Sequence, residues 1–252
     1  MENVNRLLRS LAEKYNRECW FEGDPIIFPK EFAIRMKNGE ATLQDVEISA
    51  VIAAHLAWGR RDMILRDCRR AFDEMEWQPL RYVLHGRDRK SSIPLYRNDE
   101  NSLHRTIRWS DFASICGRLR LFYTAGATDR DIDANLEFPS LETLTPDEMR
   151  VRIFGQKSAP RAANKKIHML RRWMVRRDGA VDLGLWKNIS PAELIIPLDV
   201  HVHRNALELG ITSRKSTDYK TAEEITEYLR QVFPSDPVLG DFALFAVTAN
   251  KD

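Results

Sequence analysis

A carboxylate stands at the start of a short amphipathic segment in the last quarter of the sequence. Asp199 follows Pro197-Leu198 and precedes VHVHRNALELG, whose spacing predicts a helix with Asp199 as N-cap and Gly210 as C-terminal stop. An aspartate in this position ordinarily accepts hydrogen bonds from backbone N–H groups. The same carboxylate can also stabilise a developing cation or activate a nucleophile within reach. Asp199 is therefore either a cap alone or the centre of a candidate active site.

A run of positive charge precedes this aspartate. Residues 150–177 contain ten Lys or Arg residues and no Asp or Glu, although the whole chain has a formal charge of only +2. Such a segment can neutralise DNA phosphates without reading sequence, and a solvated amphipathic helix is the alternative. Its second half, NKKIHMLRRWMVRR, can bury one apolar face. We expect five basic side chains to stay accessible: Lys165, Arg171, Arg172, Arg176 and Arg177.

The elements that position these residues are predicted to be helices. Apolar residues recur at helical spacing along most of the chain, and residues 44–76 predict two helices joined near Trp58-Gly59. No pair of strands is convincing, so we expect an all-α fold. With 252 residues and 43% hydrophobic content, the chain can bury a substantial core, as one large domain or two small ones.

Further boundaries follow from local composition. Acidic residues gather among turn formers in residues 125–148, which predicts a solvated connector or lid. Thr221 and Glu224 form a capping-box pattern for a helix that runs through Phe233. Asp236-Pro237 is expected to open a last apolar helix.

The spacing of the cysteines and the length of the apolar runs indicate the cellular compartment of the protein. Cys19, Cys68 and Cys116 are spread too widely for a zinc knuckle or a redox motif, so we expect reduced, mostly buried thiols. The first segment predicts a charged amphipathic helix without the apolar core of a secretory signal. No segment reaches the roughly 18 apolar residues that span a bilayer. We therefore expect a cytoplasmic protein with no membrane partner.

The segment around Asp199 resembles a motif of DNA repair enzymes. In endonuclease III and its relatives, the catalytic aspartate opens a helix in a pattern usually written V-D-T-H-V-x-R-V. Asp199, His201, Val202 and Arg204 occupy the matching positions, whereas Val200 stands where that pattern often has Thr. The preceding Pro-Leu pair more closely resembles the archaeal 8-oxoguanine glycosylase branch of this helix-hairpin-helix superfamily.

Three further segments resemble a bacterial family of uncharacterised proteins related to those glycosylases: VEISAVIAAHLAWGRRDMILRDC, KKIHMLRRWMVRRDGAVDLGLW and DPVLGDFALF. The resemblance covers nearly the whole chain and implies one glycosylase-like unit, residues 1–252, of two interleaved helical lobes with DNA clamped over the groove between them. Residues from about 150 to 210 would form its basic, catalytic-type segment. Fold does not determine chemistry, so no activity follows from the resemblance alone. We expect a nucleoid-associated monomer whose partner is double-stranded DNA.

Bifunctional members of the superfamily use a lysine at the start of the helix before the aspartate. This lysine attacks the anomeric carbon of the sugar and gives a Schiff base that leads to strand scission. Lys165 is the first candidate for that position, and Lys166 is the alternative, because the loop GQKSAPRAAN leaves the alignment open. A helix turns by about 100° per residue, so only one of them can point at Asp199. The leading hypothesis is a DNA repair glycosylase that acts on a damaged base, with or without abasic-site lyase activity, in which Lys165 is the nucleophile and Asp199 is the activating carboxylate.

The sequence also departs from the superfamily pattern. The hairpin L-P-G-x-G is missing before Lys165, where only Gly155 and Pro160 offer turn chemistry, so the phosphate-binding hairpin is either remodelled or degenerate. The four-cysteine cluster loop is missing too, and we expect no iron–sulfur cluster or other cofactor. The alternatives are a non-catalytic DNA-binding protein that retains the glycosylase fold, and a helical scaffold whose basic segment docks onto an acidic partner.

Histidine and tryptophan side chains supply secondary candidates. His168 either shuttles a proton near the pocket or packs in the protein. His201 and His203 should lie on different faces of their helix, so we expect no metal site. Trp58 falls near the place where related glycosylases insert a residue into the space left by a flipped base; a core position is the alternative. Trp173 is in phase with the buried side of the basic helix.

Candidate DNA contacts come from the basic segment, from the motif around Asp199 and from the residues that follow Trp58. Gly59 permits a turn beside Trp58, so the arginines after it can reach phosphates. The candidate DNA contacts are Arg60, Arg61, Lys157, Arg161, Arg171, Arg172, His201 and Arg204.

Overall fold

The computed structural model describes residues 2–86, 96–125, 137–178 and 180–249. Within them the chain is predominantly helical, which confirms the all-α class at this level. None of the helices in this described part is both long enough and apolar enough to cross a membrane. The chain divides into two compact units, one formed by Met1–Glu22 with Ala159–Asp252 and the other by Gly23–Ser158.

The inserted unit, Gly23–Ser158, is organised around one buried helix. Its elements are α2 Ile27–Lys37, α3 Leu43–Leu56, α4 Arg61–Glu74, α5 Pro79–His85, β1 Ser102–His104, β2 Ile107–Arg108, α6 Trp109–Thr124, a 3₁₀ turn Leu141–Thr143, and α7 Pro146–Glu148, followed by a π-helical turn Met149–Ile153. Thr42 and Asp45 form a capping box at the start of α3, and nearly every residue from Val46 to Leu56 is buried. The two helices predicted in residues 44–76 are confirmed, with the break near Trp58.

The inserted unit also contains a strand pair that was not predicted. β1 and β2 are antiparallel, and Ser102 is paired with Arg108 and His104 with Ile107. Strands of three and two residues are too short for an alternating pattern to stand out in a sequence. Arg105, in the turn between them, has a φ of 53°.

The acidic stretch of residues 125–148 was expected to be a solvated connector or lid. Three of its acids lie outside the described residues: Asp129, Asp131 and Asp133. The later part is packed, because Leu141 and Leu144 are buried and the Glu47 carboxylate of α3 accepts a hydrogen bond from the Leu141 backbone nitrogen. In this later part the acids Glu137 and Glu148 are exposed, as expected, whereas the buried leucines between them were not expected.

The other unit combines the two ends of the chain. Its elements are α1 Glu2–Tyr15, a 3₁₀ turn Glu18–Trp20, α8 Lys165–Val175, a 3₁₀ turn Pro191–Glu193, α9 Val200–Glu208, α10 Tyr219–Val232 and α11 Leu239–Ala249. The amphipathic α1 packs against α11. Leu8 and Ala12 of α1 join one apolar core with residues of α9, α10 and α11.

Helix α10 begins earlier than predicted. Asp218 is its N-cap and accepts a hydrogen bond from the Thr221 backbone nitrogen at 3.0 Å. Glu224 accepts instead from the Thr212 hydroxyl at 2.7 Å. The predicted capping box of Thr221 and Glu224 was therefore wrong, because aspartate is the better N-cap and stands three residues earlier.

Candidate active site

Lys165 is the first residue of α8 and follows a tight turn. Its helix is entered through Asn164, the N-cap, which has a φ of 46°; asparagine tolerates this left-handed conformation better than most residues. The turn is tied to α10, because the Arg161 carbonyl accepts a hydrogen bond from the Tyr219 backbone nitrogen at 2.9 Å. A defined turn thus precedes Lys165 although the usual hairpin motif is missing.

Asp199 is the N-cap of α9, as predicted. Its Oδ1 atom accepts hydrogen bonds from the backbone nitrogens of His201 and Val202, both at 2.9 Å. Pro197 and Leu198, immediately before it, are buried and fix the chain at this point. Capping uses one carboxylate oxygen and holds the side chain in one orientation.

The second carboxylate oxygen of Asp199 contacts Lys165. The distance from Lys165 Nζ to Asp199 Oδ2 is 3.1 Å, and the side chains are 39% and 26% exposed. Exposed or partly exposed ion pairs add at most about 1 kcal/mol to stability, so the fold gains little from this contact. Chemically, it brings a primary amine and a carboxylate together where a ligand can reach both. Lys166, one residue further on, is turned by about 100° from Lys165.

A third charged group near this pair was not predicted from the sequence. Asp241, in the first turn of α11, is 8% exposed and lies 2.5 Å from Nη1 of Arg172. Burial raises the pKa of Asp241 and the Arg172 charge opposes this rise; the Asp199 carboxylate adds to the rise, and the Lys165 ammonium opposes it. Asp241 is thus within electrostatic reach of both candidate catalytic residues. An acid inside the apolar run VLGDFALF was the available signal.

Arg172 of α8 and Arg176, the residue that follows the end of this helix, face the protein interior. Arg172 is 6% exposed and Arg176 is fully buried. Both bind Asp182, Arg172 through Nε at 3.3 Å and Arg176 through Nη1 at 2.5 Å. Arg176 also pairs with two other acids, Asp178 and Asp236. The expectation that Arg172 and Arg176 stay accessible was wrong, and Arg172 is not available as a DNA contact, because a buried cation needs these partners.

The other predicted DNA contacts lie at or near the surface of their own units. Arg171 is half-buried. Arg60 forms an ion pair with Asp62 at 2.7 Å, in which both side chains are mostly exposed; a phosphate can replace such a partner at low cost. The exposed members of the set are Arg60, Arg61, Lys157, Arg161, His201 and Arg204.

His168 is a packed histidine. It is 2% exposed, and burial, together with the Arg171 charge, lowers its pKa to about 4. Its Nε2 atom has no hydrogen-bond partner among the described residues, and its ring lies 6.3 Å from that of Tyr219. His168 is therefore neutral at pH 7, and these surroundings favour packing over a proton shuttle.

His201 and His203 lie on different faces of α9, as predicted. His201 is exposed, whereas His203 is buried and its Nε2 atom lies 2.8 Å from the Arg214 carbonyl. Within residues 2–86, 96–125, 137–178 and 180–249, no group of three His, Cys, Asp or Glu side chains could hold a metal ion. Of the three thiols, Cys68 and Cys116 are buried and Cys19 is exposed.

Trp58, in the inserted unit, is an exposed aromatic residue on a turn. It is 38% exposed, whereas Trp173 is fully buried, as predicted. The Arg105 guanidinium lies 4.2 Å from the Trp58 ring centroid, and His104 meets the ring edge-on at 5.8 Å. Gly59 has a φ of 102°, and the Arg105 side chain fills the space that a Cβ at this position would need. The partly exposed Trp58 ring and the Arg105 guanidinium thus lie side by side in the inserted unit.

One protein family matches this chain. The model of that family, described as "Protein of unknown function (DUF2400)", matches residues 24–250. No curated protein matches the chain, and no solved structure matches it. The family match spans both compact units, but the family's description assigns no activity.

Proposed function

This chain belongs to the DUF2400 family, whose function is unknown, and we propose from its own residues that it is a DNA repair glycosylase with abasic-site lyase activity. Lys165 is the nucleophile in this proposal, and Asp199 is the activating carboxylate. One observation carries it: Lys165 Nζ lies 3.1 Å from Asp199 Oδ2, while the other oxygen of Asp199 is held by the start of α9.

The chemistry follows from this pair. The Asp199 carboxylate accepts a proton from the Lys165 ammonium, and the neutral amine attacks C1′ of the damaged nucleotide. The bond from C1′ to the base breaks, and the base leaves with the electron pair and takes the proton from Asp199, which becomes a carboxylate again. The C1′–O4′ bond of the sugar then breaks as O4′ takes a proton from the Lys165 nitrogen, which gives a protonated Schiff base. Loss of a C2′ proton then expels the 3′ phosphate oxygen and cuts the strand. Once it has given up its proton, the Asp199 carboxylate stabilises the cationic Schiff base.

Access to C1′ requires that the damaged nucleotide leave the base stack. The exposed Trp58 ring with its Arg105 partner suits a stacking role in the distorted duplex. The exposed cations of each unit, such as Lys157 and Arg161, suit phosphate contacts. Double-stranded DNA is therefore the proposed partner, and the nucleoid is the proposed location.

The proposal includes the helix-hairpin-helix glycosylase fold. Two features support it: the predominantly helical structure, and a unit formed from both ends of the chain with a second unit inserted between them. The remodelled turn before Lys165 would take the place of the usual hairpin, since the Arg161 carbonyl and the Tyr219 backbone nitrogen hold it to α10.

Borohydride trapping tests the proposal. Purified protein is incubated with duplexes that contain an abasic site, 8-oxoguanine, uracil or an alkylated base, and borohydride then reduces any Schiff base to a stable protein–DNA adduct. We expect an adduct that is lost in Lys165→Ala and Asp199→Asn. Lys166→Ala is the matched control, because it removes the neighbouring amine and should retain the adduct. An adduct that survives Lys165→Ala would contradict the assignment.

The ion pair also favours a second candidate function, a non-catalytic DNA-binding protein. An ammonium group held by a carboxylate is not a nucleophile, and a binding protein would have no need to release it. This candidate predicts equal affinity for damaged and undamaged duplex, strong salt dependence, and no adduct on any substrate. Trapping and competition binding on the same duplexes separate the two functions.

A further inference from the structure

Two segments of the inserted unit share one pattern of basic and apolar residues. Residues 118–122 read Arg-Leu-Arg-Leu-Phe, and residues 150–154 read Arg-Val-Arg-Ile-Phe. The first lies in α6, and the second lies mostly in the π-helical turn that packs against α6. Both segments bury their phenylalanine and one aliphatic residue, but Leu121 is 65% exposed and Val151 is 41% exposed. Each segment therefore presents one apolar side chain to solvent beside its arginines.

One arginine from each segment borders these apolar residues. The half-buried Arg118 guanidinium lies against the backbone of Gly155, which has a φ of 61°, and a Cβ at this glycine would overlap it. The exposed Arg152 guanidinium lies 5.3 Å from the Phe122 ring centroid. Phe122 follows Arg118 by four residues, so both arginines lie on the same side of α6. Within the part of the chain that the structure describes, neither guanidinium forms a hydrogen bond or an ion pair with another side chain.

The acids just before the second segment are engaged in its own helix start and loop. Hydrogen bonds from Thr145 lower the pKa of Glu148, and the Arg152 charge adds to this effect. Asp147 accepts a hydrogen bond from the Ser158 hydroxyl at 2.6 Å. Both carboxylates thus hold the local backbone in place, and the two guanidinium groups remain available to a carboxylate from outside.

We propose that Arg118, Leu121, Val151 and Arg152 form a docking surface for an acidic segment of another protein that also carries large apolar side chains. We call these four residues the α6 docking surface. Carboxylates bind guanidinium groups in a planar, two-point arrangement, which suits the two arginines. Leu121 is three residues after Arg118 and so lies next to it on the helix, where it offers a contact to an apolar side chain. None of the four belongs to the proposed catalytic pair, so this inference is independent of the proposed function.

Other occupants fit the α6 docking surface less well. DNA phosphates would neutralise the arginines, but protein–DNA interfaces are polar and give Leu121 and Val151 little apolar surface to contact. Arginine beside an apolar centre is typical of protein–protein interfaces. A second copy that used the same surface would bring the arginines of both copies together, and like charges repel. A lipid bilayer binds helices with a broad apolar face, whereas this surface offers two apolar side chains.

Two variants test the surface, each with a matched control in the same unit. Leu121→Ser removes the exposed apolar side chain, and Ile34→Ser, at a site in α2 that is 59% exposed, is its control. Gly155→Ala displaces the Arg118 guanidinium without changing the net charge. Its control is Gly39→Ala, because Gly39 also has a positive φ but has open space around it. If Gly155→Ala does not fold, Arg118→Lys keeps the charge and loses the planar guanidinium.

The measurement is fluorescence anisotropy of the full chain with a short labelled peptide of Asp, Glu, Leu and Phe. A second peptide has Ser in place of Leu and Phe. We expect the first peptide to bind the wild type more tightly than the second. Leu121→Ser should weaken binding of the first peptide by about tenfold, and Gly155→Ala by about threefold to tenfold. Both controls should bind it within about twofold of the wild type.

Several outcomes would overturn the inference. Equal binding of the two peptides, or equal losses in a variant and its control, would mean attraction by net charge alone. The absence of peptide binding would also count against it. Duplex DNA and anionic lipid vesicles are measured in parallel, and analytical ultracentrifugation reports self-association. If one of these binding events is stronger than that of the peptide and is lost in both Leu121→Ser and Gly155→Ala, the surface serves that occupant instead.

Discussion

The carbonyl oxygen of Trp58 is held by His104, whose buried Nε2 atom lies 2.8 Å from it. A carbonyl only accepts hydrogen bonds, so Nε2 carries a proton. Nδ1 lies 2.8 Å from the Asp67 carboxylate. Burial alone would raise the pKa of Asp67, but hydrogen bonds from two arginines and from His104 hold it below its usual value. The His104 ring thus lies within hydrogen-bond distance of both the Asp67 carboxylate and the Trp58 carbonyl, and these buried contacts fix the turn that exposes Trp58.

Trp58→Ala is expected to weaken binding to a duplex with an unpaired base. Base–aromatic stacking contributes about 1–3 kcal/mol per base, and the Trp58 ring is exposed enough to provide it. The affinity for intact duplex should fall by less than the affinity for the duplex with the unpaired base. The free energy of unfolding should stay close to that of the wild type. Fluorescence anisotropy on both duplexes checks this. Equal losses on the two duplexes would argue against a stacking role.

Asp199→Asn and Asp199→Ala should separate catalysis from capping. Asparagine caps helices about as well as aspartate, so Asp199→Asn should leave the free energy of unfolding almost unchanged, whereas Asp199→Ala should lower it by about 1 kcal/mol. Both variants should lose adduct formation by a factor of about 100 or more. Urea denaturation and trapping rates provide the two measurements. If Asp199→Asn were fully active, Asp199 would serve only as the N-cap of α9.

Arg172→Met is expected to destabilise the protein strongly. It leaves the buried Asp182 and Asp241 carboxylates short of a partner, and breaking a buried ion pair in this way costs about 3–5 kcal/mol. Arg161→Met, at an exposed position, should change the free energy of unfolding by less than about 0.5 kcal/mol. Urea denaturation measures the free energy of unfolding of both variants. Similar stability of the two variants would mean that Arg172 is not internal.

The buried His168 should weaken the fold in acid. Its pKa is lowered to about 4 in the folded protein, so the unfolded chain binds the proton more readily. Its contribution is complete above a pH of about 6.5 and is lost as the pH falls towards 4, by about 3 kcal/mol in total. In His168→Leu, the drop in unfolding free energy from pH 7 to pH 4.5 should be smaller by about 2–3 kcal/mol. His201→Leu, at an exposed site, should keep the wild-type drop.

Lys157→Ala and Arg161→Ala test the phosphate contacts. Each contact that is lost should reduce the slope of log affinity against log salt by about 0.9. The loss should be the same for damaged and undamaged duplex, because phosphate contacts carry no base information. Lys37→Ala, at the C-terminal end of α2, serves as the surface control. Unchanged slopes in Lys157→Ala and Arg161→Ala would exclude both side chains from the interface.

Features decided within a few residues could be predicted from the sequence. The break near Trp58 followed from apolar periodicity on either side of it, and the capping role of Asp199 followed from its place before an amphipathic run. The predicted start of α10 was wrong although it too depends on a few neighbouring residues. Asp218 competes with Thr221 for the N-cap position, and aspartate is the stronger N-cap. Local rules therefore predict elements well but choose poorly between adjacent caps.

Features decided by distant partners could not be predicted. Arg172 belongs to a helix that carries only positive charge, and a helical pattern alone assigns such a residue to solvent. Its burial depends on Asp241, which is 69 residues later in the chain. The contact of Lys165 with Asp199 depends in the same way on how α8 and α9 meet. Spacing alone gave no reason to single out Lys165, and only the family resemblance did.

The division of one unit between the two ends of the chain has a consequence for synthesis. A ribosome delivers α1 well before α11, the helix on which it packs. The inserted unit is complete when Ser158 has emerged, so it can fold while the polypeptide is still growing. Throughout that time the apolar face of α1, with Leu8 and Ala12, has no native cover. A nascent chain of this protein therefore carries an exposed apolar helix surface until α11 has been synthesised.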